Sequence, residues 1–143
     1  MSALRQPYYE LSAEAMQGLL ATKAALERGP LGKALVELLY LRVSQLNGCA
    51  YCLEKHSESL REEGVSQLKL DSLAGWRVSR HFDAREQAAL AWAESLNDVA
   101  SSHAADDDYL PLEAHFSPRE ISDLTIAVAL MSGLNRLAIG MRL

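Results

Sequence analysis

Helix-start and helix-stop signals recur along the whole chain, and they constrain its fold more than any other feature of the sequence. The clearest start combines Ser117 as an N-cap with Pro118 at the first helical position and Glu120 at the third. A second capping box opens at Asp83. No stretch alternates apolar and polar residues as a half-buried strand would. The sequence therefore predicts an all-α fold.

These signals predict a bundle of six or seven helices. A chain of 143 residues fits one domain with a substantial core, so we expect a single helical domain over residues 1–143. The predicted boundaries, in chain order, are an N-cap at Ser12 with a stop at Gly29 and Pro30, a helix over residues 32–46, an N-cap at Asn47 with a stop at Gly64, a short helix from Ser66 to about Gly75, a helix opened by Asp83, and a last helix from Ser117 almost to Leu143.

The charge balance excludes several classes of partner. A net charge of −5 disfavours non-specific binding to nucleic acid or to an anionic membrane, because both need a basic face. No apolar run approaches the roughly 20 residues that span a bilayer. The first residues have no apolar segment of the kind that a signal peptide carries. We therefore expect a cytoplasmic protein without nucleic-acid or membrane partners.

The only two cysteines, Cys49 and Cys52, stand three residues apart. A secreted disulfide scaffold would use more cysteines, spread along the chain. In a reducing compartment such a pair is either redox-active or metal-binding. On a helix, Cys49, Cys52 and His56 would share one face, and spacing by three residues suits the Cα separation of about 4.4–6.8 Å that a disulfide tolerates.

Two local features favour a reactive thiolate, and they point to different sulfurs. The free N–H groups at a helix start stabilise negative charge, which favours Cys49. A neighbouring imidazole can accept a thiol proton, and His56 is placed to do so for Cys52. The residue types alone therefore leave open which sulfur attacks.

Glu37 is the fourth candidate site residue. It shares a face of the second predicted helix with apolar residues, among them Leu38 and Leu41. A carboxylate on such a face must be paired, protonated or functional. A proton relay is one interpretation, and a buried ion pair with Arg42 or Arg61 is the competing one.

The spacing of Glu37, Cys49, Cys52 and His56 resembles the active-site motif of AhpD-like alkylhydroperoxidases, in the carboxymuconolactone decarboxylase superfamily. The resemblance extends over about residues 35–142. It implies an AhpD-like helical fold in which Cys52 attacks a hydroperoxide and becomes a sulfenic acid. Cys49 would donate a proton and then resolve the sulfenic acid as a disulfide. His56 and Glu37 would form the proton relay.

The same resemblance implies an oligomeric assembly and thiol partners. This chain departs from the family pattern in two respects. Family members assemble as trimers or hexamers, and some are reduced by lipoyl groups and in turn serve a peroxiredoxin. The best-known members carry a histidine directly before the second cysteine, where this chain has Tyr51, and they have a longer chain. The decarboxylase branch works without a cysteine pair, so the cysteines argue against decarboxylation.

The last predicted helix independently suggests a homo-oligomer. Its apolar residues form two faces, which together are wider than one packing contact covers. The first face comprises Ile121, Leu124, Val128 and Met131, and the second comprises Ile126, Leu130, Leu134 and Leu137.

Three other interpretations compete with a thiol peroxidase that needs no bound cofactor or metal. A structural zinc site could take both cysteines, His56 and a fourth ligand, although one helix face converges poorly on a tetrahedral ion. The fourth ligand would be His81, His103 or His115. Alternatively, the cysteines are buried and inert. The chain would then be a non-catalytic assembly or binding protein with the same fold and with inert or regulatory thiols.

Overall fold

The computed structural model describes residues 3–143, and these residues form helices and connecting turns without a β-strand. The helices are α1 (Tyr8–Leu11), α2 (Ala13–Glu27), α3 (Lys33–Asn47), α4 (Ala50–Glu62), α5 (Gln67–Asp71), α6 (Ala84–Asn97), α7 (Val99–Ser102), α8 (Asp106–Tyr109) and α9 (Pro118–Met141). Two 3₁₀ segments cover Leu73–Val78 and Leu110–Ala114. About six of these helices form the body of the fold, so the predicted all-α bundle is confirmed.

Helix α3 forms the centre of the core. Nine of its residues are buried, including the fully enclosed Val36, Leu39 and Val43. It packs against α4, α6 and α9, while α2 stands further out and buries only Leu26. A helix that is apolar around most of its circumference belongs in the interior. This placement is why a carboxylate on α3 ends up away from water.

Local capping residues begin the two best-predicted helices. Ser117 accepts a hydrogen bond from the Glu120 amide at 3.1 Å, and Asp83 accepts one from the Glu86 amide at 2.8 Å. Both capping boxes are complete, because each glutamate side chain binds back to its N-cap amide. Gly64 has a φ of +84° just after α4, so the predicted stop there is confirmed.

The boundary before the cysteines differs from the prediction. Asn47 is the last residue of α3 and not the N-cap of α4. Gly48 turns the chain with a φ of +71°, and Cys49 takes the N-cap position, its sulfur accepting from the Cys52 amide at 3.4 Å. Asn47 does not cap because its side-chain amide donates to Asn97 and Asn135, at 3.0 and 3.1 Å.

The short helix predicted to run from Ser66 to about Gly75 is divided into two elements. Ser66 does cap α5, its hydroxyl accepting from the Lys69 amide at 3.2 Å. The α-helix ends at Asp71, however, and the chain continues as the 3₁₀ segment that contains Gly75. The start was therefore predicted correctly and the end was not.

Helix α9 is long and apolar enough to cross a membrane, judged by length and composition alone. The expectation that no run approaches this length was therefore wrong. Ten residues of α9 are nevertheless buried, and the helix packs on α3 and α6. A core helix of a folded domain has these properties.

Candidate active site

The cysteine pair lies at the turn between α3 and α4. The Cα atoms of Cys49 and Cys52 are 5.3 Å apart, and their sulfurs lie at disulfide distance. The backbone amide of Cys49 donates to the carbonyl of Ser44 at 3.1 Å, which fixes the turn to the end of α3. Both cysteines are buried, at 1% and 5% exposure. The prediction that this spacing allows a disulfide is confirmed.

Glu37 and His56 meet across the interface of α3 and α4. Glu37 Oε2 lies 2.7 Å from His56 Nδ1, and the two residues are only 2% and 7% exposed. An Nδ1–H donor to a carboxylate fixes the imidazole tautomer and leaves Nε2 free for a second partner. His56 follows Cys52 by one helical turn, so its ring lies on the same side of α4 as that sulfur.

Glu37 does not form an ion pair with Arg42 or Arg61, the two partners suggested by the sequence. Arg42 binds Glu94 at 2.7 Å instead, and Arg61 is exposed. The second oxygen of Glu37 faces α2, where Lys23 Nζ lies 3.9 Å from Oε1.

Lys23 and Glu27 are site residues that sequence reasoning missed. Lys23 donates to Glu27 at 2.8 Å, one turn along α2, and both line the same cleft as Glu37. Their spacing by four residues could have indicated the pair itself. Nothing in the sequence indicates that α2 brings this pair against a carboxylate of α3.

Tyr40 packs against the imidazole from inside the core. Its ring centroid is 5.3 Å from that of His56, and the side chain is fully buried. Burial, followed by the charges of Glu37 and Glu27, raises the pKa of Tyr40 above its ordinary value. Tyr40 is therefore a neutral wall behind His56, and its hydroxyl has no hydrogen-bond partner among residues 3–143.

A cleft of about 700 Å³ opens onto these groups. Cys52, His56 and Glu37 line it, whereas Cys49 does not and instead packs against Ala138 and the partly buried Ile139 of α9. The walls are largely apolar and come from α1, α2 and α9. The apolar wall residues include Tyr8, Tyr9, Met16, Leu20 and Leu134. Of the two cysteines, Cys52 is therefore the one that a molecule in the cleft could reach.

Tyr51, at the position where the resemblance implies a histidine, lies at the rim of the cleft. It is half exposed, and the Lys55 ammonium lies 5.8 Å from its ring centroid. Tyr51 is not inserted between Glu37 and His56, whose hydrogen bond is direct. The substitution therefore leaves the buried pair intact and changes the rim.

A buried amide network holds the turn beneath the cysteines. Asn135 on α9 is fully buried and donates to the Ser44 hydroxyl at 3.1 Å, while it accepts from Asn47. Asn97 of α6 exchanges two hydrogen bonds with Asn47, both at 3.0 Å. Because Ser44 also accepts from the Cys49 amide, the network links α6 and α9 to the cysteine turn.

The histidines proposed for a zinc site do not assemble with the cysteines. Over residues 3–143 there is no group of three or more His, Cys, Asp or Glu side chains that could hold a metal ion. His81, His103 and His115 are absent from the cleft that contains Cys52. A tetrahedral site needs four converging ligands, and the described part of the chain does not provide them.

Comparison with known proteins supports these observations. The model of the carboxymuconolactone decarboxylase family matches residues 11–95. An uncharacterized protein of Bacillus subtilis, YdfG, is 27% identical over 96% of this chain and 93% of its own length. These matches include the cysteine turn, Glu37 and His56.

Two solved structures have the same fold. ATU0492 from Agrobacterium tumefaciens, a protein of unknown function named as a candidate antioxidant defence protein AhpD, superposes with a TM-score of 0.93. It is 32% identical, and the match covers 98% of this chain and 96% of that one. An uncharacterized peroxidase-related protein from Silicibacter sp. TM1040 gives a TM-score of 0.81 at 26% identity, covering 92% of this chain and 70% of its own.

Proposed function

The chain belongs to the carboxymuconolactone decarboxylase family as an AhpD-like protein, and we propose that it is a thiol-dependent peroxidase acting through Cys52 and Cys49. One observation carries the proposal. A cysteine pair at disulfide distance lies next to a buried Glu37–His56 pair, in a cleft that only Cys52 of the two cysteines lines. A bare structural disulfide would need neither the buried acid–base pair nor the cleft.

The first step is attack by the Cys52 thiolate on the hydroperoxide. His56 Nε2 accepts the thiol proton, while Glu37 stabilises the resulting imidazolium through Nδ1–H. The sulfur bonds to the terminal peroxide oxygen and the O–O bond breaks. The leaving alkoxide takes the proton from His56 and departs as an alcohol, and Cys52 is left as a sulfenic acid.

The second step closes the disulfide. Cys49 loses its proton and its sulfur attacks the sulfur of the Cys52 sulfenic acid, which expels hydroxide. Hydroxide and that proton leave as water. The Cα separation of 5.3 Å lets the bond form without backbone movement. An external dithiol then reduces the disulfide by exchange, and we propose a lipoyl protein as this reductant and a peroxiredoxin as a further thiol partner.

The proposal extends to assembly and location. Ile121, Leu124, Val128 and Met131 are buried within the chain, but the second apolar face of α9 is only partly covered. Ile126 on that face is 44% exposed, and Ala129 and Gly133 beside it are exposed as well. We propose that a second copy covers this face in a homotrimer or homohexamer. We also propose the cytoplasm as location, because its thiol pool keeps such a pair reduced.

Peroxide consumption with several dithiol reductants tests this function. The wild type should turn over, and Cys49→Ser and Cys52→Ser should both lose steady-state turnover. Native thiols that do not react with peroxide would instead identify the chain as a binding or assembly protein with inert thiols.

A further inference from the structure

The lysines of this acidic chain are concentrated at the cleft. The sequence contains four lysines and a net charge of −5, and three of the four line the cleft that contains Cys52. They are Lys23, Lys33 and Lys55, while Lys69 lies elsewhere. The carboxylates of Glu27 and Glu37 line the same cleft, so an anionic ligand there needs a lysine that no carboxylate already binds.

Carboxylates of the chain already bind two of these three lysines. Lys23 donates to Glu27 at 2.8 Å, and Lys33 lies 3.6 Å from Glu63. Lys55 differs, because no carboxylate of residues 3–143 lies within 4.0 Å of its ammonium group. Its ammonium group lies over the face of the Tyr51 ring instead, 5.8 Å from the ring centroid. Lys55 is therefore the cation at the cleft that a ligand could engage without breaking an ion pair.

The position of Lys55 relates it directly to the reactive sulfur. It follows Cys52 by three residues on α4, which is a rise of about 4.5 Å along the helix and the same side of it. Apolar side chains of α1, α2 and α9 line much of the rest of the cleft, which is open to solvent. Within the part of the chain that the structure describes, the cleft thus combines apolar walls, a reactive sulfur and a cation, Lys55, that no carboxylate binds.

From this combination we propose that the substrate is an amphipathic, anionic hydroperoxide, with its apolar chain in the cleft and its anionic group on Lys55. The inference rests on the proposed peroxidase function and specifies its substrate class. An ammonium group recognises a carboxylate or a phosphate by charge and hydrogen bonding. Because Lys55 is exposed, its contribution is modest, roughly two- to fivefold in kcat/KM.

A matched pair of substrates tests the proposal. An alkyl hydroperoxide with a terminal carboxylate is compared with its methyl ester, and the ratio of kcat/KM for acid over ester is the readout. The wild type should prefer the acid roughly two- to fivefold, mainly through KM, and the preference should shrink as salt rises. An alkyl phosphate hydroperoxide in the same assay distinguishes a phosphate-specific site from a general anion site.

Lys55 variants identify the cation responsible. Lys55→Met should bring the acid-to-ester ratio close to one, Lys55→Glu should reverse it, and Lys55→Arg should restore most of it. Lys69→Met makes the same charge change at the lysine that does not line this cleft, and it should leave the ratio at the wild-type value. If Lys55 were merely structural, Lys55→Met would lower kcat/KM equally for the acid and the ester and leave their ratio unchanged.

The outcomes separate this inference from the proposed function. Equal turnover of acid and ester by the wild type, or an acid preference that survives in Lys55→Met, would overturn the inference and leave the peroxidase standing. Failure of the wild type to consume any hydroperoxide with any dithiol would overturn both.

Discussion

Glu37 Oε2 lies 2.7 Å from His56 Nδ1, and both side chains are buried at the interface of α3 and α4. This contact joins a residue eleven positions before the cysteine turn to one eight positions after it. It forms because α3 and α4 fold back on each other at Gly48, whose positive φ permits the tight turn. The acid–base pair is therefore a consequence of the turn that also carries Cys49.

Glu37→Gln should separate a proton relay from a structural ion pair. The amide retains a hydrogen bond to His56 but cannot accept and return a proton. Because general acid–base participation contributes about 10²–10⁴ in rate, kcat/KM for hydroperoxide should fall by about that factor. The pH–rate profile should also lose one limb, with little change in melting temperature.

Glu63→Gln makes the same chemical change at a carboxylate that does not line the cleft, and it should leave peroxide turnover at the wild-type level. Near-wild-type turnover by Glu37→Gln across the pH range would remove Glu37 from the mechanism. A large fall in melting temperature without loss of turnover would make it a structural residue.

The sequence was most informative where interactions are local. The capping boxes at Asp83 and Ser117 depend on side chains three residues apart, and both were predicted correctly. Asn47 was wrongly assigned as an N-cap because its partners, Asn97 and Asn135, are 50 and 88 residues away in sequence. Residue-level capping preference could not foresee a competing tertiary network.

In the candidate site too, local relations could be predicted from the sequence and tertiary contacts could not. His56 and Cys52 are related by helical spacing, and Glu37 was recognised as a carboxylate on an apolar face, so the sequence was sufficient to select them. The neighbours Lys23 and Glu27 reach the site only because α2 packs beside α3. The unequal placement of the two sulfurs relative to the cleft likewise depends on the tertiary structure.

Glu94 should make stability depend on pH. Burial opposes its ionisation, but hydrogen bonds from Trp76, Arg77 and Arg42 outweigh burial and lower the pKa of Glu94. A carboxyl whose native pKa is depressed contributes stability above its unfolded pKa, and that stability is lost as pH falls through the native pKa. Glu94→Gln should therefore lower the free energy of unfolding at neutral pH by about 1–3 kcal/mol.

Thermal unfolding from pH 7 to pH 3 measures this effect, at about 2–4 °C for each kcal/mol in a chain of this size. The difference between wild type and Glu94→Gln should shrink toward zero as the pH falls. A difference that stays constant over this range would assign the loss to packing and not to charge.

Ile126→Glu should dissociate the proposed oligomer. The change places a charge on the exposed apolar side of α9, where a second copy would have to desolvate it. Light scattering at micromolar concentration should give a trimer or hexamer mass for the wild type and a monomer mass for the variant, with the helical circular dichroism retained. Val78→Glu, at a residue that is 94% exposed, is the control and should keep the wild-type mass. A monomeric wild type would refute the assembly.

The reaction of reduced Cys49→Ser with one equivalent of hydroperoxide tests the central claim most directly. Cys52 lines the cleft beside His56, and without Cys49 its sulfenic acid cannot be resolved within the chain. A dimedone-type probe should then label Cys52 stoichiometrically in Cys49→Ser and leave Cys52→Ser unlabelled, whereas the wild type should lose two hydrogens in a reversible disulfide. Labelling of Cys49 in Cys52→Ser with an unlabelled Cys49→Ser would reverse the roles of the sulfurs, and free thiols that persist in all three proteins would contradict the thiol peroxidase mechanism.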